Sequence, residues 1–185
     1  MAENIDYDFL SDLEGGCKTV GYIPAVSVSN SGITIATGFD LGQRNENDLI
    51  SLQLDTQLVS KLKPYLGLKG KSAQNLLKST PFVLSAAQSQ SIDKAVKSEH
   101  VSTLKLKYDS APDNKIKFIN LPPEAQTVIA SVSFQYGTNL DAKAPKFWKT
   151  VTSQNWLEAI KTLQAFGDAY PTRRKKEAAL LEQIK

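Results

Sequence analysis

The feature that most constrains the fold is a single change of hydrophobic period along the chain. Residues 19–41 carry β chemistry: Val26 and Val28 alternate with Ser27 and Ser29, and Asn30-Ser31-Gly32 is a turn signal. Ile33, Ile35, Thr37 and Phe39 then alternate with Thr34, Ala36, Gly38 and Asp40. Before this stretch, residues 5–14 read as a short amphipathic helix with Ile5, Phe9, Leu10 and Leu13 on one side, stopped by Gly15-Gly16. After Asn45 the pattern is helical almost throughout. Asn47 or Asp48 is expected to cap a helix to Leu54, Asp55 or Thr56 the next, and Ser85 a long one that holds Ile92 and Val96. A short helix is expected over Ser72 to Lys78. Pro122-Pro123-Glu124 opens the most apolar helix, which ends at Gly137. Helices around Trp156 and Leu181 follow. The expected class is α+β: one domain over residues 1–185, with a small mixed lobe (about 1–45), a larger helical lobe (about 46–185) and a cleft between them for a ligand.

A chain of 185 residues with 41% apolar and 22% charged side chains can bury a core without metal or disulfide staples. One cysteine, Cys17, excludes an internal disulfide framework, and one histidine, His100, excludes HExxH metalloproteases and multi-histidine zinc sites. No metal or cofactor is expected. The net charge of +3 is too dispersed for a dedicated nucleic-acid binder, and no apolar run approaches the length of a membrane span. The tight cluster Arg173-Arg174-Lys175-Lys176 reads, on charge alone, as a solvated helix face.

Three residues stand out as candidates for chemistry. Glu14 follows a helix C-terminus, where the macrodipole disfavours a carboxylate and should raise its pKa, as a general acid needs. Asp40 lies between Gly38 and Gly42 directly after a strand, accessible and ionised, fit for a base. Thr34 shares its strand face and could orient a water. Each has an ordinary alternative: a solvent-facing Glu, a turn-capping Asp, a β-branched strand residue. Two carboxylic residues in different environments are the working parts of a glycosidase. A competing enzyme reading pairs Cys17 as nucleophile with His100 as base, as in cell-wall amidases. It is disfavoured because Cys17 follows a helix C-terminus, and His100 reads as a surface residue. A non-enzymatic reading makes the chain a glycan-binding module with a dead site.

The segment Leu13-Glu14-Gly15, followed by Gly32-Ile33-Thr34-Ile35-Ala36-Thr37-Gly38-Phe39-Asp40, resembles phage-type lysozymes, with their catalytic Glu in an EG step and a TIG-x-GH strand. Phe134-Gln135-Tyr136-Gly137 resembles the end of their central helix, Asn155-Trp156-Leu157-Glu158-Ala159 a later helix start, and Arg173-Arg174 with Glu177 the RR-x-x-E of the final helix. One departure is informative. The T-even enzymes place their Asp between Glu and Thr; here Asp40 follows Thr34, and Phe39 stands where the family has His. The order Glu, Thr, Asp and the phrase TI-x-x-GFDLGQ resemble pesticin-like muramidase domains of bacteriocins and effector toxins.

That resemblance implies a lysozyme-like fold, Glu14 as acid, Asp40 as base, Thr34 as the water-orienting hydroxyl, and Gln135 lining the floor of the cleft beneath the sugars. It implies Arg–carboxylate contacts for Arg173-Arg174, and so a structural role for the pair. The implied substrate is the glycan strand of peptidoglycan, with no nucleic acid and no membrane insertion, in a monomer opposed by a periplasmic immunity protein. Without a recognisable signal peptide, the chain is expected to be made in the bacterial cytoplasm and delivered to a target cell wall by another system. A phage endolysin is the alternative setting. The implied mechanism is inverting, with the Glu14 and Asp40 carboxyls roughly 6.5–9.5 Å apart. Thr34 and Asp40 are six residues apart, about 20 Å on a straight strand. Sharing one water therefore requires a bend at Thr37-Gly38-Phe39.

Overall fold

The computed structural model describes residues 3–14, 16–24, 31–112 and 114–184. The expected Val26/Val28 alternation, Asn30 of the turn and Gly15 lie outside them. Helix α1 (Tyr7–Leu13) is followed by strands β1 (Lys18–Tyr22), β2 (Thr34–Ala36) and β3 (Phe39–Asp40). Helices α2 (Glu46–Ser51), α3 (Thr56–Leu62), α4 (Gly70–Ser79), α5 (Ala86–Asp109) and α6 (Pro123–Tyr136) come next. The series ends with α7 (Leu140–Lys143), α8 (Pro145–Thr152), α9 (Trp156–Gln164) and α10 (Pro171–Leu181). This is the α+β class that the single period change implies.

The helix starts follow local chemistry. Asp55 caps α3 through Gln57 and Leu58, and Ser85 and Gln88 exchange bonds at the start of α5. The cap of α2 is Asn45 rather than Asn47 or Asp48. Its side chain accepts from the Asp48 amide while the Asp48 carboxylate accepts from the Asn45 amide. Gly137, at φ +79°, ends α6 where expected.

The chain divides into two compact units. The first runs from Glu14 to Glu99. Its sheet has the order β1-β2-β3, all antiparallel, and the segment after α4 extends it: Val20 bridges to Val83, and the Gly21 and Leu84 amides bond across to Phe82 and Thr19. The core gathers Ile33, Ile35, Leu41, Leu49, Leu62 and Ile92, all fully buried. Helices α2 to α4 and the first half of α5 pack in this same core, so the unit that holds the sheet extends well past residue 45.

The second unit joins Met1–Leu13 to His100–Lys185. Its axis is α6, buried from Ala125 to Ser133. Polar side chains on that helix are satisfied by the segments around it, as burial demands. Gln126 accepts from the Asn4 amide and donates to the Leu121 carbonyl, and Thr127 accepts from the Asp6 amide. The Arg173-Arg174 pair corrects the solvated-face expectation from charge alone. Both guanidiniums are buried against Glu177, which is 0% exposed, while Lys175 and Lys176 are exposed. Glu177 Oε1 accepts from Ser131 Oγ at 2.5 Å and Arg173 Nε at 3.2 Å, and its other oxygen pairs with Arg174 Nη1. Arg174 also bonds Asp168. Burial pushes that carboxyl up, but bonds from Tyr136 and Arg174 outweigh it and hold it below the usual carboxylate value. No helix among the described residues is long and apolar enough to cross a membrane.

Candidate active site

The strand carrying Thr34 does not run straight. It turns back at Ala36-Thr37-Gly38, so that Thr34 lies opposite Asp40 and Ile35 opposite Phe39. Gly38 takes φ +90°, the freedom expected of it. Ala36 at φ +53° shares the turn, which the sequence does not announce. The Leu41 amide bonds to the Ile33 carbonyl at 2.9 Å. By alternation Thr34 and Asp40 are then a non-hydrogen-bonded pair, the kind whose Cα atoms come to about 4.5 Å and whose side chains are closest. The six-residue separation is thereby closed by a hairpin.

Beyond Ile33 and Leu41, the backbones of Gly32 and Gly42 approach closely. A Cβ on Gly32 would lie 2.4 Å from both the Gly42 Cα and the Leu68 carbonyl oxygen, so only glycine fits. Their amides converge on one atom: Asp40 Oδ1 accepts from Gly32 N at 3.0 Å and Gly42 N at 2.9 Å. Asp40 therefore caps the 3-10 turn Leu41–Gln43, the ordinary role open to it, and is half-buried. Both of those bonds fall on Oδ1, not Oδ2. Thr34 is 2% exposed, and its hydroxyl donates to the Gly32 carbonyl at 3.4 Å.

Glu14 directly follows α1 and belongs to the unit that holds Thr34 and Asp40, with its side chain 18% exposed. Its Oε2 lies 3.7 Å from the ammonium of Lys97 on α5, and Lys97 in turn bonds Asp93 Oδ2 at 2.7 Å. Lys97 opposes the helix end: a cation stabilises the ionised carboxylate, whereas the C-terminal dipole destabilises it. Neither Lys97 nor Asp93 was marked out by the sequence. The i,i+4 spacing on one helix face was the available signal, and it is shared by many exposed pairs. A small cavity of about 80 Å³ lies beside the hairpin, lined by Thr37, Gly38, Phe39, Arg44, Asp93 and Val96. A larger groove, about 510 Å³, lies in the other unit by Lys146, Phe147 and Lys161, and holds none of the candidate residues.

Gln135 lies in the second unit, half-buried near the end of α6. Its Oε1 accepts from Arg174 Nη2. His100 is not a surface residue. It is stacked on Phe134 at 4.5 Å, and Nε2 lies 2.9 Å from Ser133 Oγ. That hydroxyl also donates to the Ala130 carbonyl at 2.8 Å. Burial lowers the His100 pKa, and a backbone hydrogen bond at Ser133 opposes it only in part. Cys17 Sγ lies 3.1 Å from Ser89 Oγ, which donates to the Lys18 carbonyl. Thiol and imidazole each have a serine partner, and neither contact is the thiol–imidazole bond that nucleophilic catalysis uses.

Comparison with curated proteins gave no match. The family model for Pesticin, described as a bacterial toxin homologue of phage lysozyme, C-terminal, matches residues 4–157, a stretch that contains Glu14, Thr34, Asp40 and Gln135. With most of its length matched and a lysozyme-like α+β architecture, the chain belongs to the Pesticin family of lysozyme-type glycoside hydrolases.

Proposed function

We propose that the chain is a muramidase that hydrolyses the β-1,4 bond between N-acetylmuramic acid and N-acetylglucosamine in peptidoglycan, and that it acts as an antibacterial toxin. The observation that carries this reading is the hairpin that sets Thr34 opposite Asp40. It supplies a carboxylate and a hydroxyl that we read as sharing one water, in a chain whose family is described as a homologue of phage lysozyme.

In this reading Glu14 gives its proton to the leaving glycosidic oxygen. Asp40 Oδ2 takes a proton from the water that attacks the anomeric carbon, and Thr34 Oγ1 orients that water. The two amides on Oδ1 fix the carboxylate in direction. Water attacks the face opposite the leaving group, so configuration inverts. The toxin reaches the wall of a target cell through a separate delivery system, and the producing cell keeps an immunity protein against it.

Mass spectrometry of peptidoglycan digested by the purified chain tests the proposal. Reducing muramic acid ends support it. Cleaved stem peptides would replace it with an amidase or peptidase, and anhydro-muramic ends with a lytic transglycosylase.

A further inference from the structure

We infer that Lys97 is a positioning residue for Glu14, and that Asp93 limits how strongly Lys97 favours the ionised carboxylate. The inference rests on the reading of Glu14 as the general acid. The side chain of Lys97 is 4% exposed, and its ammonium lies near two carboxylates, Asp93 at 2.7 Å and Glu14 at 3.7 Å. A buried ammonium requires a partner, and Asp93 alone meets that need. The second carboxylate is surplus to neutralisation, and it belongs to the candidate acid.

Glu14 needs such an anchor. It follows the last residue of α1, and Gly16 nearby takes φ +86°, so the backbone there is permissive. Lys97 projects from α5, a helix of 24 residues, and supplies a rigid fixed point. A lone cation at that distance would hold the acid ionised at the pH where it must carry a proton. The shorter bond to Asp93 draws off much of that field. Charged groups in this cluster include Lys97 and Asp93 from α5, Glu14 directly after α1, and Arg44, which lines the cavity with Asp93.

A general acid works only while protonated, so the rate falls as pH rises through its pKa. The two helix residues then have opposite effects on that alkaline limb. Lys97→Met removes the cation and leaves Glu14 near an anion, so the limb moves to higher pH by about 1–3 pH units. Its kcat also falls by roughly 10–100-fold through lost positioning, with KM little changed. Asp93→Asn exposes Glu14 to the undiluted charge of Lys97, so the limb moves to lower pH. Lys97→Arg keeps the charge and restores most of the kcat.

The experiment is the pH profile of peptidoglycan hydrolysis by the full chain and these variants, with thermal melts to confirm folding. Opposite displacements sustain the inference. Limbs that stay in place, or move together, overturn it. If Lys97→Met does not fold, Asp93→Asn decides alone: a downward shift supports the inference and an unmoved limb refutes it. Glu14→Gln separates the two layers, because a Glu14→Gln enzyme with normal activity removes the acid assignment itself.

Discussion

Replacing Gly32 by Ala should damage both the stability of the hairpin and the function proposed for it. The new Cβ would sit 2.4 Å from the Gly42 Cα and from the Leu68 carbonyl oxygen. Both are backbone atoms and cannot rotate away, so the strands must separate. Overpacking of this kind costs about 1–3 kcal/mol. Separation also pulls an amide off Asp40 Oδ1, and a hydrogen bond to a charged group is worth about 1.5–3 kcal/mol. Together these give about 2.5–6 kcal/mol, a fall in melting temperature of roughly 5–24 °C for a chain of this size. A displacement of about 1 Å at Asp40 should slow hydrolysis by a further factor of about 100. Gly38 is the contrast. A Cβ there meets nothing within 4 Å, but φ is +90°. Gly38→Ala should lose about 1–3 kcal/mol through backbone strain alone, and Gly38→Asn less, because Asn tolerates left-handed backbone better. Thermal melts and peptidoglycan hydrolysis for the three variants check this. A Gly32→Ala protein that melts with the wild type and hydrolyses at full rate would refute the close approach of Gly32 and Gly42 as the seat of Asp40.

Glu177→Gln should destabilise the second unit by about 3–5 kcal/mol, because two buried guanidiniums lose their common counter-charge; chemical denaturation measures it. His100 has a folded-state pKa lowered by burial, so its contribution is present above the unfolded value near 6.5 and is lost as pH falls through the folded value. Stability should therefore decline as pH falls below the unfolded value, and His100→Gln should flatten that slope in thermal melts. Thr34→Ala should slow hydrolysis while folding is kept. Proton NMR of the first product should show the α-anomer, since inversion at a β bond yields it; a β-anomer would show retention.

Much of the hairpin was legible because two constraints met. Alternation marked Ile33 to Asp40 as strand, and the need for Thr34 and Asp40 to share a water located the bend at Gly38, which only a permissive residue allows. The Ala36 conformation was not legible, since alanine carries no signal for positive φ. Caps were readable where Ser85 and Gly137 stood alone, and narrowed to two neighbours at Asp55-Thr56, where Asp55 is the cap. They were ambiguous at Asn45, where neighbouring polar residues competed for the same position. The burial of Arg173 and Arg174 could not come from charge density, because the same RRKK run suits a solvated face; the RR-x-x-E spacing to Glu177 was the better guide. Lys97 was one of 22 basic residues, and its place against Glu14 depends on a contact 83 residues away in sequence, which no local pattern encodes.

The most direct test of the central claim is hydrolysis of purified peptidoglycan by Glu14→Gln and Asp40→Asn, followed as release of reducing muramic acid ends beside a thermal melt of each protein. Both substitutions keep shape and remove proton transfer, which typically contributes factors of about 100 to 10,000. The account predicts losses of at least that size with Glu14→Gln melting close to the wild type. Well-folded variants that still release reducing ends at near the wild-type rate would contradict it.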